Sequence, residues 1–204
     1  AYIFPAKGGT GKATLALKLL DQGFKLLGDD LIFIDVPARI AYPYHRPLHL
    51  FGYNIGNLGS ARLPLKYRGI IRLKNIFRFI LERLYRTDFL ISTRIHADEL
   101  FSSPFGRSAV IGALCFLTRS GPEFSIMKTH GAAAAAHCNR ILESSDLRLS
   151  LTTLLPQEQL APIFKRERKL TIELLQWLDS MSYVNVRELR ENVGDMLKND
   201  LHSK

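Results

Sequence analysis

The feature that most constrains this chain is a glycine-rich segment near its start, placed between an apolar stretch and a helical pattern. The segment Pro5-Ala6-Lys7-Gly8-Gly9-Thr10-Gly11-Lys12 follows Tyr2-Ile3-Phe4. After it, apolar residues recur at helical spacing, at Leu15, Ala16, Leu19 and Leu20. Glycines let backbone amides turn inward, and a helix N-terminus adds a positive partial charge at the same place. The order strand, glycine-rich turn and helix therefore predicts a site for nucleotide phosphates.

The segment matches the phosphate-loop pattern G-x-x-x-x-G-K-[ST] in its centre and departs from it at both ends. Ala6 stands where the first glycine belongs, and Ala13 stands where the Ser or Thr belongs. Lys12 is expected to reach the β- and γ-phosphates. Ala13 has no oxygen for Mg²⁺, and a shift to Thr14 would turn a helical side chain by about 100°. The expected cofactor-binding residues are Gly8, Gly9, Thr10, Gly11, Lys12, Ala13 and Thr14.

A pair of aspartates follows the helix at a position suited to chemistry. Gly23 is the expected helix stop, and the stretch from Phe24 to Leu27 is predicted to be a short strand. Gly28-Asp29-Asp30 would form its end, and Leu31 to Val36 a further strand. Ligands bind at the carboxyl ends of strands in open α/β sheets, so this edge is the expected catalytic edge.

These spacings resemble those of the HPr kinase/phosphorylase superfamily. The resemblance rests on Gly11-Lys12, Gly23 and Leu26-Leu27-Gly28-Asp29-Asp30, and it is closest to the HPr-kinase-related branch. Tyr42-Pro43-Tyr44-His45-Arg46-Pro47-Leu48 is similar to that branch's proline-bracketed arginine segment. The sharp motifs lie in residues 1–48. The resemblance implies an α/β fold in which a sheet containing a phosphate loop is flanked by helices, like the C-terminal domain of HPr kinase.

The resemblance also implies an ATP-dependent kinase that uses Mg²⁺. Such an enzyme would transfer the γ-phosphoryl group to a hydroxyl, on a serine of a protein or peptide or on a small molecule. Asp29 would be the catalytic base, and Asp30 would help place the metal or a neighbouring histidine. Lys12 would complete the catalytic set. Arg46 is a candidate to clamp a phosphate or a substrate carboxylate, and a surface arginine that fixes a turn is an equal alternative.

Three departures from the family pattern keep other functions open. Ala13 replaces the metal-binding Ser or Thr, no metal-holding glutamate is evident between Leu31 and Leu58, and the family's upstream histidine would precede Ala1. These favour a regulator that binds nucleotide without transferring phosphate. Lys7 also resembles the signature lysine of the ParA/MinD partition ATPases. In that family Gly23 would come too early, and the aspartate pair would have no role.

Composition bounds the remaining expectations. The chain has 204 residues and a formal net charge of +9, with 47% hydrophobic and 23% charged residues. We expect one kinase-like domain over residues 1–204, with further native residues before Ala1, in a cytoplasmic protein. No apolar run is long enough to span a membrane, and the two cysteines suit buried thiols in a reducing compartment. The basic residues are scattered along the sequence, which disfavours nucleic acid as a binding partner and suits an acidic protein or peptide. A homo-oligomer is compatible with the sequence.

The rest of the chain gives coarser expectations. A long loop or lid is predicted from Phe51 to Gly69, and an amphipathic helix from Ile71 to Arg86. In that helix Leu73, Ile76, Phe77, Ile80, Leu81 and Leu84 form an apolar stripe, and Lys74, Arg78, Glu82 and Arg86 form a polar row expected to face solvent. Strands at 109–118 and 123–128 are expected to pair as a hairpin, helices are expected over 131–142 and 156–181, and a closing helix over 189–201. His96 beside Asp98 and Glu99 is expected to be a surface histidine near a capping aspartate.

Overall fold

The structure, a computed structural model, describes residues 1–57, 63–87, 91–118, 125–129, 131–143, 145–178 and 180–184. Within these residues the fold is mixed α/β, as expected. The strands are β1 (Tyr2–Ile3), β2 (Phe33–Asp35), β3 (Ile40–Tyr42), β4 (Leu48–Leu50), β5 (Thr93–Ile95), β6 (Ala109–Val110), β7 (Ala113–Thr118), β8 (Ser125–Thr129) and β9 (Ser180–Val184). The α-helices are α1 (Lys12–Asp21), α2 (Leu65–Tyr85), α3 (Gly131–Glu143), α4 (Asp146–Leu154) and α5 (Gln157–Trp177), and two 3₁₀ helices cover Gly52–Asn57 and Ala97–Glu99.

The described residues form two compact units. The first contains Ala1–Lys12, Ile34–Ala41 and the described residues of 109–184. The second contains Ala13–Phe33 and the described residues of 42–108. Residues 119–122, between the two strands of the expected hairpin, and the expected closing helix over 189–201 lie outside the described residues.

The first unit is built on a sheet with strand order β1-β7-β9-β8. Strands β1, β7 and β9 are parallel, and β8 runs antiparallel to β9. The prediction that β7 and β8 pair as a hairpin is therefore wrong, because β9 lies between them. Residues Ala113 to Leu117 of β7 are all buried, as expected for an inner strand of a mostly parallel sheet. Helices α3 and α5 pack together, and Arg168 of α5 contacts Glu143 of α3 at 2.8 Å.

The second unit has its own apolar core. This cluster joins Leu17 of α1 to the paired strands β4 and β5 and to Ile71 of α2. Its buried members are Leu17, Leu48, Leu50, Leu63, Ile71, Ile95, Ala97 and Leu100. The helix predicted after the glycine-rich segment is confirmed, with Gly23 just past its end at φ +87°.

Two local predictions in this unit are wrong. The stretch from Phe24 to Leu27 is not a strand, because only Leu26 makes a bridge, in parallel to Phe105. The stretch from Phe51 to Gly69 is not one long loop, because it contains a 3₁₀ helix and the start of α2. Asn54 closes the 3₁₀ turn by accepting a hydrogen bond from the Phe51 amide at 2.8 Å. Local side-chain-to-backbone bonds of this kind are not visible as hydrophobic periodicity.

Helix α2 is confirmed as a helix, but its polar row does not face solvent as expected. Lys74 is half-buried and donates a hydrogen bond to the Ser92 carbonyl at 2.9 Å. Asn75 lies so close to Gly52 that a Cβ on that glycine would come within 1.9 Å of its side chain. Helix α2 therefore packs on its unit through polar side chains. In the part of the chain that the structure describes, no helix is long and apolar enough to cross a membrane.

Candidate functional site

The glycine-rich loop, defined here as Pro5–Gly11, connects β1 to α1 through a tight turn. The amide and the hydroxyl of Thr10 both donate to the Lys7 carbonyl, at 3.4 Å and 2.8 Å. Gly9 and Gly11 have φ angles of +77° and +102°, a region that favours glycine. A Cβ placed on Gly9 would meet no heavy atom within 4 Å, so the space above this part of the loop is open.

The side chain of Lys12 curls back over this loop. Its ammonium donates hydrogen bonds to the carbonyl of Ala6 and, at 3.4 Å, to that of Lys7. Ala6, in the position of the missing first glycine, is 5% exposed. Lys12 is also the first residue of α1, so the positive end of the helix dipole lies at the same place. A positive charge, a helix start and a turn with left-handed glycines are thus combined within eight residues of sequence.

Thr14 is tied into the interior next to this helix start. It is 1% exposed, and its hydroxyl accepts a hydrogen bond from Asn54 Nδ2 at 2.7 Å. Asn54 is itself 1% exposed. Because the Thr14 oxygen is buried and already bonded, it is poorly placed to replace the oxygen that Ala13 lacks. No local pattern identifies Asn54 as its partner, since the two residues are 40 positions apart.

Two residues of α3, His137 and Arg140, lie in the same unit as the loop, and the sequence analysis did not predict them as site residues. Burial lowers the pKa of His137 below its usual 6.5, and the positive charges of Arg140 and Lys7 lower it further. The positive charge of Lys7 therefore acts on the pKa of His137. The His137 ring also contacts Phe116 of β7, with ring centroids 4.7 Å apart. Lys7 and Arg140 make the surroundings of the loop electropositive, which suits an anionic ligand.

Asp29 and Asp30 lie on a sharp bend in the second unit. A Cβ on Gly28 would come within 2.3 Å of the Leu31 carbonyl oxygen, so only glycine allows this close approach. Asp29 is half-buried and Asp30 is exposed. Leu26, just before this bend, is fixed by two backbone hydrogen bonds. Its amide donates to the Pro104 carbonyl at 2.7 Å, and its carbonyl accepts from the Gly106 amide at 2.9 Å.

The segment around Arg46 lies beside this bend. The Tyr44 amide donates to the Leu27 carbonyl at 2.9 Å, and the Tyr44 carbonyl is among the atoms that a Cβ on Gly28 would meet. Arg46 is exposed, with its guanidinium 6.0 Å from the centre of the Tyr44 ring. The neighbouring His45 ring stacks on Phe105 at 4.2 Å. The structure thus brings Asp29, Asp30 and the arginine segment together within one unit.

The histidine and carboxylates at residues 96–99 do not form a metal site. Glu99 instead accepts hydrogen bonds from the Tyr67 hydroxyl at 2.8 Å and from the Lys66 ammonium at 3.0 Å. Tyr67 first, and then Lys66, lower the pKa of Glu99. The expected capping role of Asp98 is wrong, because His96 occupies the cap position and makes no side-chain capping bond. Across the described residues no group of three or more His, Cys, Asp or Glu could hold a metal ion.

Comparison of the chain with protein-family models, with curated proteins and with solved structures finds no match. The loop, with two left-handed glycines, open space above it and a lysine at the helix start, fits a phosphate group. The first turn of α1 does not fit Mg²⁺ equally well, because Ala13 has no ligand atom and the Thr14 hydroxyl is bonded to Asn54.

Proposed function

We propose that this chain binds ATP through the glycine-rich loop and transfers its γ-phosphoryl group to a hydroxyl, as an HPr-kinase-like enzyme. The observation that carries the proposal is the turn in which Gly9 and Gly11 are left-handed and Lys12 lies over the loop carbonyls. Backbone amides of such a turn, together with the lysine, can hold phosphate oxygens. The positive charges of Lys7 and Arg140 add to the attraction for a triphosphate.

In this proposal the carboxylates supply what phosphoryl transfer still needs. Asp29 accepts the proton of the acceptor hydroxyl while the new P–O bond forms. The bond from the γ-phosphorus to the β,γ-bridging oxygen breaks, and ADP leaves with that electron pair. Lys12 neutralises the charge that develops on the phosphates. Arg46, beside the Asp29 bend, orients an anionic part of the acceptor.

Mg²⁺, when bound, would neutralise charge on the phosphates, and Asp30 is the residue proposed to hold it. Asp30 is exposed, and Mg²⁺ usually keeps several waters and takes one or two carboxylates together with the phosphates. A single carboxylate is therefore compatible with this ion even though the first turn of α1 contributes no oxygen.

A second candidate function is a nucleotide-binding regulator without transferase activity. The specific observation in its favour is the hydrogen bond from Asn54 to Thr14, which keeps in the interior the oxygen nearest to position 13. Such a protein would bind ATP through the same loop and would leave it intact. A third candidate, a partition-type ATPase, depends on Lys7 as a second active-site lysine.

A nucleotide titration tests the binding step that the kinase and the regulator share. Lys12→Ala removes a charge-assisted contact of about 1.5–3 kcal/mol, so ATP affinity should fall by about 10- to 150-fold. Lys18→Ala, on the same helix and with the same charge change, is the matched control and should bind ATP normally. If ATP does not bind the unmodified chain, both proposals fail.

A transfer assay then separates the candidates. With γ-labelled ATP and hydroxyl-bearing peptides, a kinase should show label transfer that Asp29→Asn abolishes and that exposed Asp98→Asn leaves intact. ATP binding with neither transfer nor hydrolysis would establish the regulator. Hydrolysis without transfer, lost in Lys7→Ala and retained in Asp29→Asn, would establish the ATPase.

A further inference from the structure

Helix α2 packs onto its unit through its polar side. Tyr67 donates to Glu99, Arg68 donates to the Leu63 carbonyl at 2.9 Å, and Lys74 donates to the Ser92 carbonyl. The single residue of this helix that is buried is Ile71. The inward face of α2 is thus mostly polar, which is the reverse of an ordinary amphipathic surface helix.

The apolar side of α2 is exposed. Six apolar side chains on this side are between 42% and 70% exposed. They are those of Ile70, Leu73, Ile76, Phe77, Ile80 and Leu84. On a helix with 3.6 residues per turn these positions fall within an arc of about 120°. Exposed apolar residues that stand singly need no explanation, whereas a continuous apolar face marks an interaction surface. We call this set of six residues the outer face of α2.

The charge of α2 indicates what covers the outer face. The helix contains six basic residues and one acidic residue, Glu82. Arg72 and Arg83 are exposed and lie at one edge of the outer face, and Lys66 lies near its first turn. Arginine and lysine side chains beside an apolar surface can extend their charged ends toward water or anionic groups. A partner of the outer face must therefore be apolar where it meets the helix and negatively charged at its border.

Of the partners that could meet these requirements, a membrane surface with anionic lipids meets both at once. A second copy of α2 would supply the apolar area, but it would bring together two faces of the same positive sign. A helix with a continuous apolar arc, basic residues at one border and an aromatic residue such as Phe77 within the arc has the composition of an in-plane membrane helix. The helix does not qualify as a membrane span.

We propose that α2 binds the surface of anionic lipid membranes, with its outer face in the headgroup and acyl boundary and its axis in the membrane plane. This inference does not depend on the proposed kinase function. The inward polar contacts to Glu99 and Ser92 keep α2 attached to its unit, so that the protein as a whole is brought to the lipid surface.

The test is co-sedimentation of the full chain with vesicles of phosphatidylglycerol and phosphatidylcholine, compared with phosphatidylcholine alone. We expect binding to the anionic vesicles that weakens at high salt, because screening removes part of the attraction. The triple variant Leu73→Ser, Ile76→Ser, Ile80→Ser should lose at least about tenfold in binding. Circular dichroism checks that it remains folded, as expected for exposed positions.

Matched variants on other helices control for general effects of composition. Leu154→Ser, Ile163→Ser, Ile172→Ser changes one leucine and two isoleucines of similar exposure on α4 and α5, and should bind like the unmodified chain. Arg72→Gln with Arg83→Gln should weaken binding, while Lys165→Gln with Arg166→Gln should not. The variant Phe77→Trp should show a blue shift of its fluorescence on anionic vesicles.

Several results would overturn the proposal. One is failure of the unmodified chain to bind anionic vesicles. Another is equal loss of binding in the two triple variants. A third is a dimer in solution that the α2 triple variant dissociates while vesicle binding is absent, which would make the outer face a contact between copies. An acidic protein partner is contradicted if vesicles of pure lipid suffice for binding.

Discussion

Helices α1 and α2 both carry apolar residues at helical spacing, yet the surroundings of those residues differ between the two helices. In α1 the leucines Leu15, Leu17, Leu19 and Leu20 are all buried. In α2 the equivalent apolar positions are exposed, and polar side chains make the inward contacts. The spacing of apolar residues therefore predicts that a helix forms and which residues share its apolar face. It does not predict whether that face packs on the core or is exposed, because this depends on what the face contacts. For Leu17 of α1 the partner is the apolar core of its own unit, and for the outer face of α2 we propose that it is lipid.

The largest expected effect comes from truncating one leucine on each helix. Leu17→Ala removes a side chain that is 1% exposed and should lower the free energy of unfolding by about 2–5 kcal/mol. Leu73→Ala, at 68% exposure, should change it by less than about 0.5 kcal/mol. Urea unfolding in the absence of lipid measures both. Comparable losses in the two variants would mean that the outer face of α2 is covered by protein.

A smaller effect is expected from the polar contacts that the two helices make inward. Thr14→Val leaves Asn54 Nδ2 buried without its acceptor and should lower the free energy of unfolding by about 1–3 kcal/mol. Lys74→Met on α2 removes a half-buried hydrogen bond to Ser92 and should lose only about 1 kcal/mol. Urea unfolding of the Thr14→Val, Asn54→Leu double variant should show non-additivity, and strict additivity would argue against the bond.

A third prediction concerns the attachment of α2 through Tyr67. Because Tyr67 is the largest cause of the lowered pKa of Glu99, Tyr67→Phe should raise that pKa toward its ordinary 4.5. A carboxyl with a lowered pKa in the folded state stabilises the fold above its unfolded pKa, and this stabilisation is lost as the pH falls through the folded value. NMR titration of the Glu99 side chain provides the measurement. An unchanged pKa in the variant would contradict the contact.

The smallest effect is expected at His137, in the unit that contains the glycine-rich loop. Its pKa is lowered, chiefly by burial, so the unfolded chain takes up this proton at a higher pH than the folded chain does. Stability should therefore rise with pH in the interval just below 6.5 and be flat above it. His137→Gln should flatten this part of the profile in thermal unfolding, whereas exposed His96→Gln should not. A steep profile that survives in His137→Gln would locate the titration elsewhere.

Nucleotide binding offers a sharper use of the same residue. If the loop holds phosphate, the added negative charge should raise the pKa of His137 on ATP addition, since this histidine already feels the charge of Lys7. NMR titration with and without ATP would measure the change. No change at His137 despite tight binding would place the nucleotide away from the loop.

The sequence predicted the elements that depend on local pattern. The helix α1 and its stop at Gly23 follow from apolar spacing and from a glycine that can take a positive φ. The helical propensity of α2 and α3 was equally visible. The left-handed glycines of the loop are consistent with its composition, although the order of the strands around it was not deduced correctly.

The rest depended on long-range contacts that no local pattern contains. Strand β9 lies between β7 and β8 in the sheet, although it begins about sixty residues after the end of β7 and about fifty after the end of β8. It therefore replaces the expected hairpin pairing. The bond between Asn54 and Thr14 and the effect of Lys7 on His137 join residues far apart in the chain. The orientation of α2 depends on what its two faces meet, which periodicity does not specify.

The ammonium of Lys12 already has two carbonyl oxygens as acceptors within its own unit. Any arriving anion must exchange with these dipoles, so its net gain is the difference between a charge–charge and a charge–dipole interaction. That difference grows with the charge of the ligand. The loop should accordingly rank ligands by ionic charge, with triphosphates ahead of diphosphates and monophosphates well behind, even where all three place one phosphate in the same turn.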